Sequence, residues 1–294
     1  MLILISDAFD ASLPKLLEAF GEVTDDKGRL SEADVVLVRS KTKVTKEYID
    51  SAKNLKLIIR GGVGVDNIDC VYAKQKGILV RNTPKSSAIA VAELTFALML
   101  SAPNHLIKVH NGMKKGEWLK SLKRTELYGK TLALIGIGNI ATEVAKRALA
   151  FGMHVVAYDK YVTTSPVATM VSTLEEIVQE ADYISLHLPL TDETLGIFCD
   201  DLINKCQRKP VIINTGRGPC VDAEAIVAAL KDGRISWYAT DVYPSDPPAP
   251  DYPLLACERV TLTPHFGANS VENLLRIGQE TCDIIDEVLK GGVL

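Results

Sequence analysis

Short apolar runs alternate along the chain with segments whose apolar residues recur every three or four positions, an alternation that predicts parallel sheets built from strand–helix–strand units. In the first third, Leu2–Ile5, Val35–Val38, Leu57–Ile59 and Ile78–Val80 read as strands, and the stretches near 12–20, 45–53 and 69–76 as helices. These make a small doubly wound domain. Residues 87–110 carry a long, mostly apolar pattern, including Val91, Leu94, Phe96 and Leu98, that predicts a buried connecting helix interrupted or bent near Pro103. The crossover between domains is placed within it. A second series of strands follows at Leu132–Ile135, Val155–Tyr158, Tyr183–Leu188, Val211–Ile213, Tyr238–Thr240 and Val260–Leu262. The last helix, about 271–289, has apolar positions Leu274, Leu275, Ile277, Ile284, Ile285, Val288 and Leu289, and is expected to pack back on the first domain.

Composition narrows the class. The 294 residues are 47% apolar and 24% charged with a net charge of −4, which fits a well-supplied globular core and speaks against nucleic acid or an anionic membrane as partner. No apolar stretch approaches the roughly 18 to 20 residues that span a bilayer, and Met1–Ser6 runs straight into a strand, so neither membrane anchor nor signal peptide is expected. The six cysteines show no C-x-x-C pair and no zinc spacing, which predicts reduced thiols in a cytoplasmic protein without a metal site. Residues 244–253 hold five prolines and read as a rigid loop.

The most specific local signal is Gly136-Ile137-Gly138-Asn139-Ile140-Ala141, which follows an apolar strand and opens a helix with inner face Ile140, Ala141, Val144, Ala145, Ala148 and Leu149. Gly136 permits the tight turn, Gly138 lets backbone approach a pyrophosphate, Ala141 allows close helix packing, and the helix N-terminus offers N–H donors to anionic oxygens. Asp159 ends the next strand 18 positions after Ala141, near the spacing of a carboxylate that bonds ribose hydroxyls. That carboxylate would repel a 2′-phosphate, so NAD is favoured over NADP despite the adjacent Lys160. A tight turn of purely structural purpose is the alternative.

In doubly wound sheets ligands bind beyond the carboxyl ends of the strands, where this chain places Asn214-Thr215-Gly216-Arg217-Gly218, Asp241 and Thr263-Pro264-His265. Hydride transfer on a hydroxy acid needs a cation for the carboxylate, a group that exchanges a proton near neutral pH, and an anion to hold that group's charged form. Arg217, His265 and Asp246 supply them. Each has a plainer reading: Arg217 and Asp241 as a sheet-end salt bridge, His265 as a hydrogen-bonded turn residue, and Asp246 as a solvated turn residue. His105, His110 and His154 read as structural; His187, at a strand end before Pro189, is expected to line the cofactor cleft.

Together, Gly62-Val63-Gly64-Val65-Asp66-Asn67-Ile68-Asp69, Val91-Ala92-Glu93-Leu94, the glycine turn, His187-Leu188-Pro189-Leu190-Thr191, Asn214 to Gly218 and Thr263-Pro264-His265-Phe266-Gly267 give a chain that resembles the D-isomer-specific 2-hydroxyacid dehydrogenases over essentially its whole length. The resemblance implies an α/β fold of two doubly wound domains: a Rossmann NAD-binding domain over 96–267, and a smaller flavodoxin-like substrate domain from 1–95 and 268–294. It implies His265 as proton donor and acceptor, Arg217 as substrate anchor and Asp246 as the partner of His265. It further implies that Gly136, Gly138, Asn139, Ile140, Asp159, Leu188, Pro189, Thr215, Gly216, Asp241 and Gly267 contact NAD, and that the protein is a homodimer. The family usually has glutamate where Asp246 stands, so its loop must come closer or a water must bridge.

Within the family, Val38 to Thr45 with Arg60 looks like the members that oxidise 3-phosphoglycerate. Arg39 and Arg60 both follow strands of the small domain and suit a dianionic phosphate, with Gly62 and Val63 beside them on the substrate; ordinary surface salt bridges are the alternative. Such members often carry a C-terminal regulatory extension; the sequence ends at Leu294, and serine feedback through such an extension is not assumed. The expected activity is oxidation of 3-phosphoglycerate to 3-phosphooxypyruvate, opening serine synthesis, with domain closure bringing the arginines towards Arg217 and His265. A glyoxylate or hydroxypyruvate reductase and an NAD-binding corepressor or sensor remain open as alternatives.

Overall fold

A computed structural model describes residues 1–292, which form two compact units, Met1–Ser87 with 268–292, and Ala88–Gly267. The compact units divide at Ser87/Ala88, where the helix Ala88–Ser101 starts, and that helix packs through Ala92, Phe96, Leu98 and Met99 into the core of the second unit.

The first unit contains β1 (Leu2–Ile5), α1 (Leu13–Leu17), β2 (Glu22–Thr24), β3 (Val35–Val38), α2 (Lys46–Ser51), β4 (Leu57–Arg60), α3 (Cys70–Gln75) and β5 (Leu79–Asn82). Its five strands are parallel in the order β2-β1-β3-β4-β5, the flavodoxin-like arrangement. β3 is buried along its whole length because helices cover both faces, which is why it reads as an unbroken apolar run. β2 has no such run: its three residues are exposed or half-buried, and no sequence pattern announces it. Caps set the helix starts, as where Asp69 accepts a bond from Tyr72 N at 2.9 Å to open α3.

The second unit contains α4 (Ala88–Ser101), α5 (Leu106–Lys114), β6 (Thr131–Ile135), α6 (Asn139–Ala150), β7 (His154–Tyr158), β8 (Thr169–Met170), α7 (Leu174–Gln179), β9 (Tyr183–Leu186), α8 (Asp200–Ile203), β10 (Val211–Asn214), α9 (Ala223–Asp232), β11 (Trp237–Thr240) and β12 (Val260–Leu262). The final helix, α10 (Val271–Lys290), belongs to the first unit. The larger sheet is parallel throughout in the order β12-β11-β10-β9-β6-β7-β8, a Rossmann arrangement whose direction of winding reverses between β6 and β9. Central strands are fully buried; each enclosed Ile or Leu of β10 and β6 stabilises the unit by about 2 kcal/mol.

The helical segment over 87–110 is interrupted at Pro103, as two helices at 65° separated by a turn in which His105 takes a left-handed φ of 52°. Other sequence expectations shift. β9 stops at Leu186, two residues early, since the chain leaves the ladder before Pro189, which has no N–H to donate. Leu149 is 48% exposed, so the inner face of α6 ends at Ala148. In α10 the buried stripe runs through Asn273, Ile277, Thr281, Ile285 and Val288, which leaves Leu275 and Leu289 outside. Asn273 can be enclosed because its amide donates to Ala268 O at 2.7 Å and Ser87 Oγ at 3.2 Å. No single helix among the described residues is long and apolar enough to cross a membrane.

Candidate active site

At the winding reversal the turn after β6 meets the chain leaving β9. Gly136 has φ +90°, and a Cβ built there would lie 2.8 Å from His187 O, so only glycine fits. Gly138 precedes α6 without a capping side chain, and a Cβ there would point into open space beside the helix N-terminus. This is a cradle of the kind a pyrophosphate requires, and the residues fit a dinucleotide. Asn139 and Ile140 form the first turn of α6.

Asp159 closes the same loop. Its carboxylate accepts bonds from Ile137 N (3.0 Å), Tyr161 N (2.8 Å) and Val162 N (3.1 Å), and lines a cavity of about 370 Å³ with Tyr158, Lys160, Val162 and Met170. Two oxygens with about four lone-pair sites leave it capacity for a further donor. Lys160, the cation that could favour NADP, is paired with Glu193 at 2.6 Å.

Three loops beyond β10, β11 and β12 are tied together by buried polar groups. Asn214, fully buried, accepts from Gly216 N at 3.1 Å and donates to Arg217 O at 2.9 Å, which fixes the turn that presents the half-buried Arg217. Thr215 Oγ1 meets Thr95 Oγ1 of α4 at 3.0 Å. A Cβ on Gly216 would lie 3.1 Å from Leu188 O, so this turn sits against Leu188, with the exposed Pro189 next along the chain.

Asp241 is 3% exposed. It accepts bonds from Thr263 Oγ1 (2.6 Å), Phe266 N (3.1 Å) and Gly267 N (2.9 Å), and so anchors the segment that carries His265 from both sides. Gly267 packs closely there, since a Cβ would lie 3.0 Å from that carboxylate. Tyr243 adds a bond to Thr263 O at 2.8 Å; burial, with the charge of Asp241 next, pushes its phenol up to about 12, so it remains a donor.

His265 has a left-handed φ of 53°, unusual for a residue with a Cβ and a form of local strain common at functional sites. Its Nδ1 hydrogen-bonds Asp246 Oδ2 directly, so the shorter side chain reaches without a bridging water. The His265 side chain keeps 33% of its surface, which leaves the ring accessible.

His187 behaves differently. Its Nε2 shares a 2.9 Å hydrogen bond with Ser185 Oγ, its enclosed Nδ1 has no partner, and burial drives its pKa down to about 4. The ring is therefore neutral at neutral pH. An unfolded histidine takes up a proton below about pH 6.5, which the folded ring refuses until about pH 4, so stability falls as pH drops through that window. The full penalty is up to about 3 kcal/mol. Denaturant unfolding of wild type and His187→Gln between pH 7 and 4.5 is expected to show the variant gaining on wild type as pH falls. Parallel pH profiles would contradict this.

In the first unit, Arg39 follows β3 and Arg60 ends β4. The Arg39 guanidinium donates to Ala8 O at 3.3 Å and Asn269 Oδ1 at 3.4 Å, both neutral acceptors. Burial lowers its pKa against the pull of Asp7. Arg29, Arg147, Arg208 and Arg234, by contrast, all end on carboxylates. Gly62 has φ +145°, and a Cβ there would fall 1.5 Å from Arg60 Nη1, so this glycine gives the Arg60 side chain its path. Val63 is 37% exposed, its carbonyl held by Asn82 Nδ2.

The sequence reading assigned no role to Asp7, and to Asn67 none beyond its place in a motif; both hold the Arg39 loop. The signal for Asp7 was weak, a single acidic residue two positions past a strand. Asp241 was legible as a strand-end acid, but not as the anchor of the loop bearing His265.

Residues 96–267 match the family model described as "D-isomer specific 2-hydroxyacid dehydrogenase, NAD binding domain". The chain is 42% identical to a D-3-phosphoglycerate dehydrogenase of Methanocaldococcus jannaschii, over 98% of this chain and 57% of that one. It is 43% identical to a hydroxypyruvate reductase of Thermotoga maritima, over 89% of this chain and 85% of that one. The solved structure of a D-lactate dehydrogenase from Aquifex aeolicus, complexed with NAD and lactic acid, superposes with a TM-score of 0.86 at 32% identity, covering 99% of this chain and 96% of that one. The chain thus spans little more than half the length of the archaeal phosphoglycerate dehydrogenase it matches.

Proposed function

Because the chain belongs to the D-isomer-specific 2-hydroxyacid dehydrogenase family, we propose that it oxidises 3-phosphoglycerate at C2 to 3-phosphooxypyruvate, the step that opens serine synthesis. NAD, bound at the glycine turn, supplies the hydride acceptor. The chain's own residues do the rest. Arg217 holds the substrate carboxylate through its planar fork. Asp246, an acceptor on Nδ1, keeps the His265 proton on that nitrogen and leaves Nε2 to take the substrate hydroxyl proton. The resulting imidazolium is stabilised by the same carboxylate. Asp159 favours NAD over NADP, supported by the engagement of Lys160 with Glu193.

The observation that carries the phosphate assignment is Arg39: a half-buried guanidinium whose hydrogen bonds end on neutral oxygens, while the nearby Asp7 carboxylate is bonded to backbone and hydroxyl donors, keeps its fork for an incoming anion. Arg60 is its proposed partner. Replacing either with alanine is expected to raise KM for 3-phosphoglycerate by about 10- to 100-fold, the loss of one or two charge-assisted bonds, and to leave KM for D-glycerate nearly unchanged. Equal effects on both substrates would favour the second reading, a hydroxypyruvate reductase, which the similarity to the Thermotoga protein over 85% of its length supports.

We also propose a homodimer. Leu106, Ile107 and Met113 of α5, with Trp118 (74% exposed) and Tyr128 (78% exposed), are large apolar side chains left in water, the kind of surface that an interface between copies covers. Light scattering should give twice the chain mass; a monomer mass at micromolar concentration would contradict it.

A further inference from the structure

The loop from Arg39 to Val44 is gripped on its N–H side by one side chain and on its C=O side by another. Asp7, 9% exposed and two residues past β1, accepts from Arg39 N (2.6 Å), Thr42 N (3.1 Å) and Thr42 Oγ1 (2.7 Å). Burial opposes its charged form, but these bonds outweigh it and hold the carboxyl below the ordinary carboxylate range. From the other side Asn67 donates through Nδ2 to Arg39 O (2.8 Å) and Thr42 O (2.7 Å). Asn67 is itself fixed, because its carbonyl accepts from Val44 N at 2.8 Å. Four hydrogen bonds from two side chains thus set the backbone on both sides of Arg39 and of the residue three positions on, and a fifth holds the Thr42 hydroxyl.

Simple electrostatics would not put a carboxylate here. A buried negative charge beside Arg39 weakens the attraction of that guanidinium for an anion. Geometry accounts for it: a guanidinium binds phosphate well only when its fork is pre-oriented, and an arginine at the start of a loop has no such orientation unless the backbone beneath it is fixed. Asp7 and Asn67 provide that fixation, and Asp7 spends its charge on backbone and hydroxyl donors rather than on the guanidinium.

We propose that Asp7 and Asn67 are positioning residues that orient Arg39 toward the phosphate of the substrate, and that the preference for a phosphorylated 2-hydroxy acid depends on them. The inference rests on the phosphate reading of Arg39 given above. The two explanations of Asp7 differ in sign. If it acted through charge alone, Asp7→Asn would lower KM for the phosphorylated substrate; if it positions Arg39, the same change raises KM.

The test is steady-state kinetics of Asp7→Asn, Asn67→Ala, Arg39→Ala and the Asp7→Asn/Arg39→Ala double variant with 3-phosphoglycerate and D-glycerate, alongside NADH binding followed by fluorescence. Expected for each of the first two is a KM for 3-phosphoglycerate raised about tenfold, as for the loss of one well-oriented charged bond. KM for D-glycerate, kcat and NADH affinity should stay within about twofold, and the double variant should be no worse than Arg39→Ala. Unchanged or lowered KM in Asp7→Asn and Asn67→Ala, with Arg39→Ala impaired, overturns the positioning role alone. Additive loss in the double variant, or equal loss on both substrates, does the same, since a merely structural role has no reason to act through Arg39. If Arg39→Ala itself leaves KM unchanged, the phosphate reading fails and this inference with it. Should Asp7→Asn not fold, Asn67→Ala decides by the same criteria.

Discussion

His265→Ala should lower kcat by roughly 10²- to 10⁴-fold, the usual contribution of a positioned general acid–base group, while NADH binds as in wild type. The separation is expected because the ring and the dinucleotide cradle are built by different parts of the second unit. Gly136 and Gly138 shape the turn between β6 and α6, which Asp159 just after β7 holds through Ile137 N, whereas His265 stands on the segment after β12 that Asp241 and Tyr243 secure. The Asp246→Asn variant should show a smaller loss of the same kind, since the ring remains but its imidazolium loses the carboxylate. Near-wild-type turnover of His265→Ala, with stopped-flow confirming that hydride transfer limits the rate, would remove His265 from the chemistry.

Arg217→Ala is the second large effect. A bidentate grip on a carboxylate consists of two charge-assisted bonds, each worth about 1.5 to 3 kcal/mol, so kcat/KM for any 2-hydroxy acid should fall by roughly 10²- to 10⁴-fold. Arg217→Lys should recover only part of this, because an ammonium keeps the charge and loses the fork. The turn that holds Arg217 is secured by Asn214 through Gly216 N and Arg217 O, and the guanidinium adds one bond to Gly216 O at 2.8 Å, so either change should leave the protein folded. An unaltered melting temperature with a collapsed kcat/KM is the expected pair of readings.

Strand–helix alternation was legible because β3, β6, β9 and β10 are enclosed on both faces and read as apolar runs. The edge strands β2 and β8 were not legible. They are short and half-exposed, and only pairing with a neighbour makes them strands. The glycine turn was visible as a spacing, since Gly136 and Gly138 have backbone reasons that no other residue meets. Asp7 and Asn67 stayed hidden for the opposite reason: their work is hydrogen bonding across more than twenty residues of sequence, which leaves no periodic trace. Asp246 lay between these cases. The sequence placed a carboxylate in the right loop, and only the fold of 244–253 brings it onto His265.

The central claim is NAD-linked oxidation of a phosphorylated 2-hydroxy acid, and initial rates of NADH formation with 3-phosphoglycerate, D-glycerate, D-lactate and glycolate test it most directly. The account predicts the highest kcat/KM for 3-phosphoglycerate, with a preference over D-glycerate that disappears in Arg39→Ala. A higher kcat/KM for D-glycerate or glycolate in the wild-type protein, or no NADH with any of the four, would contradict it.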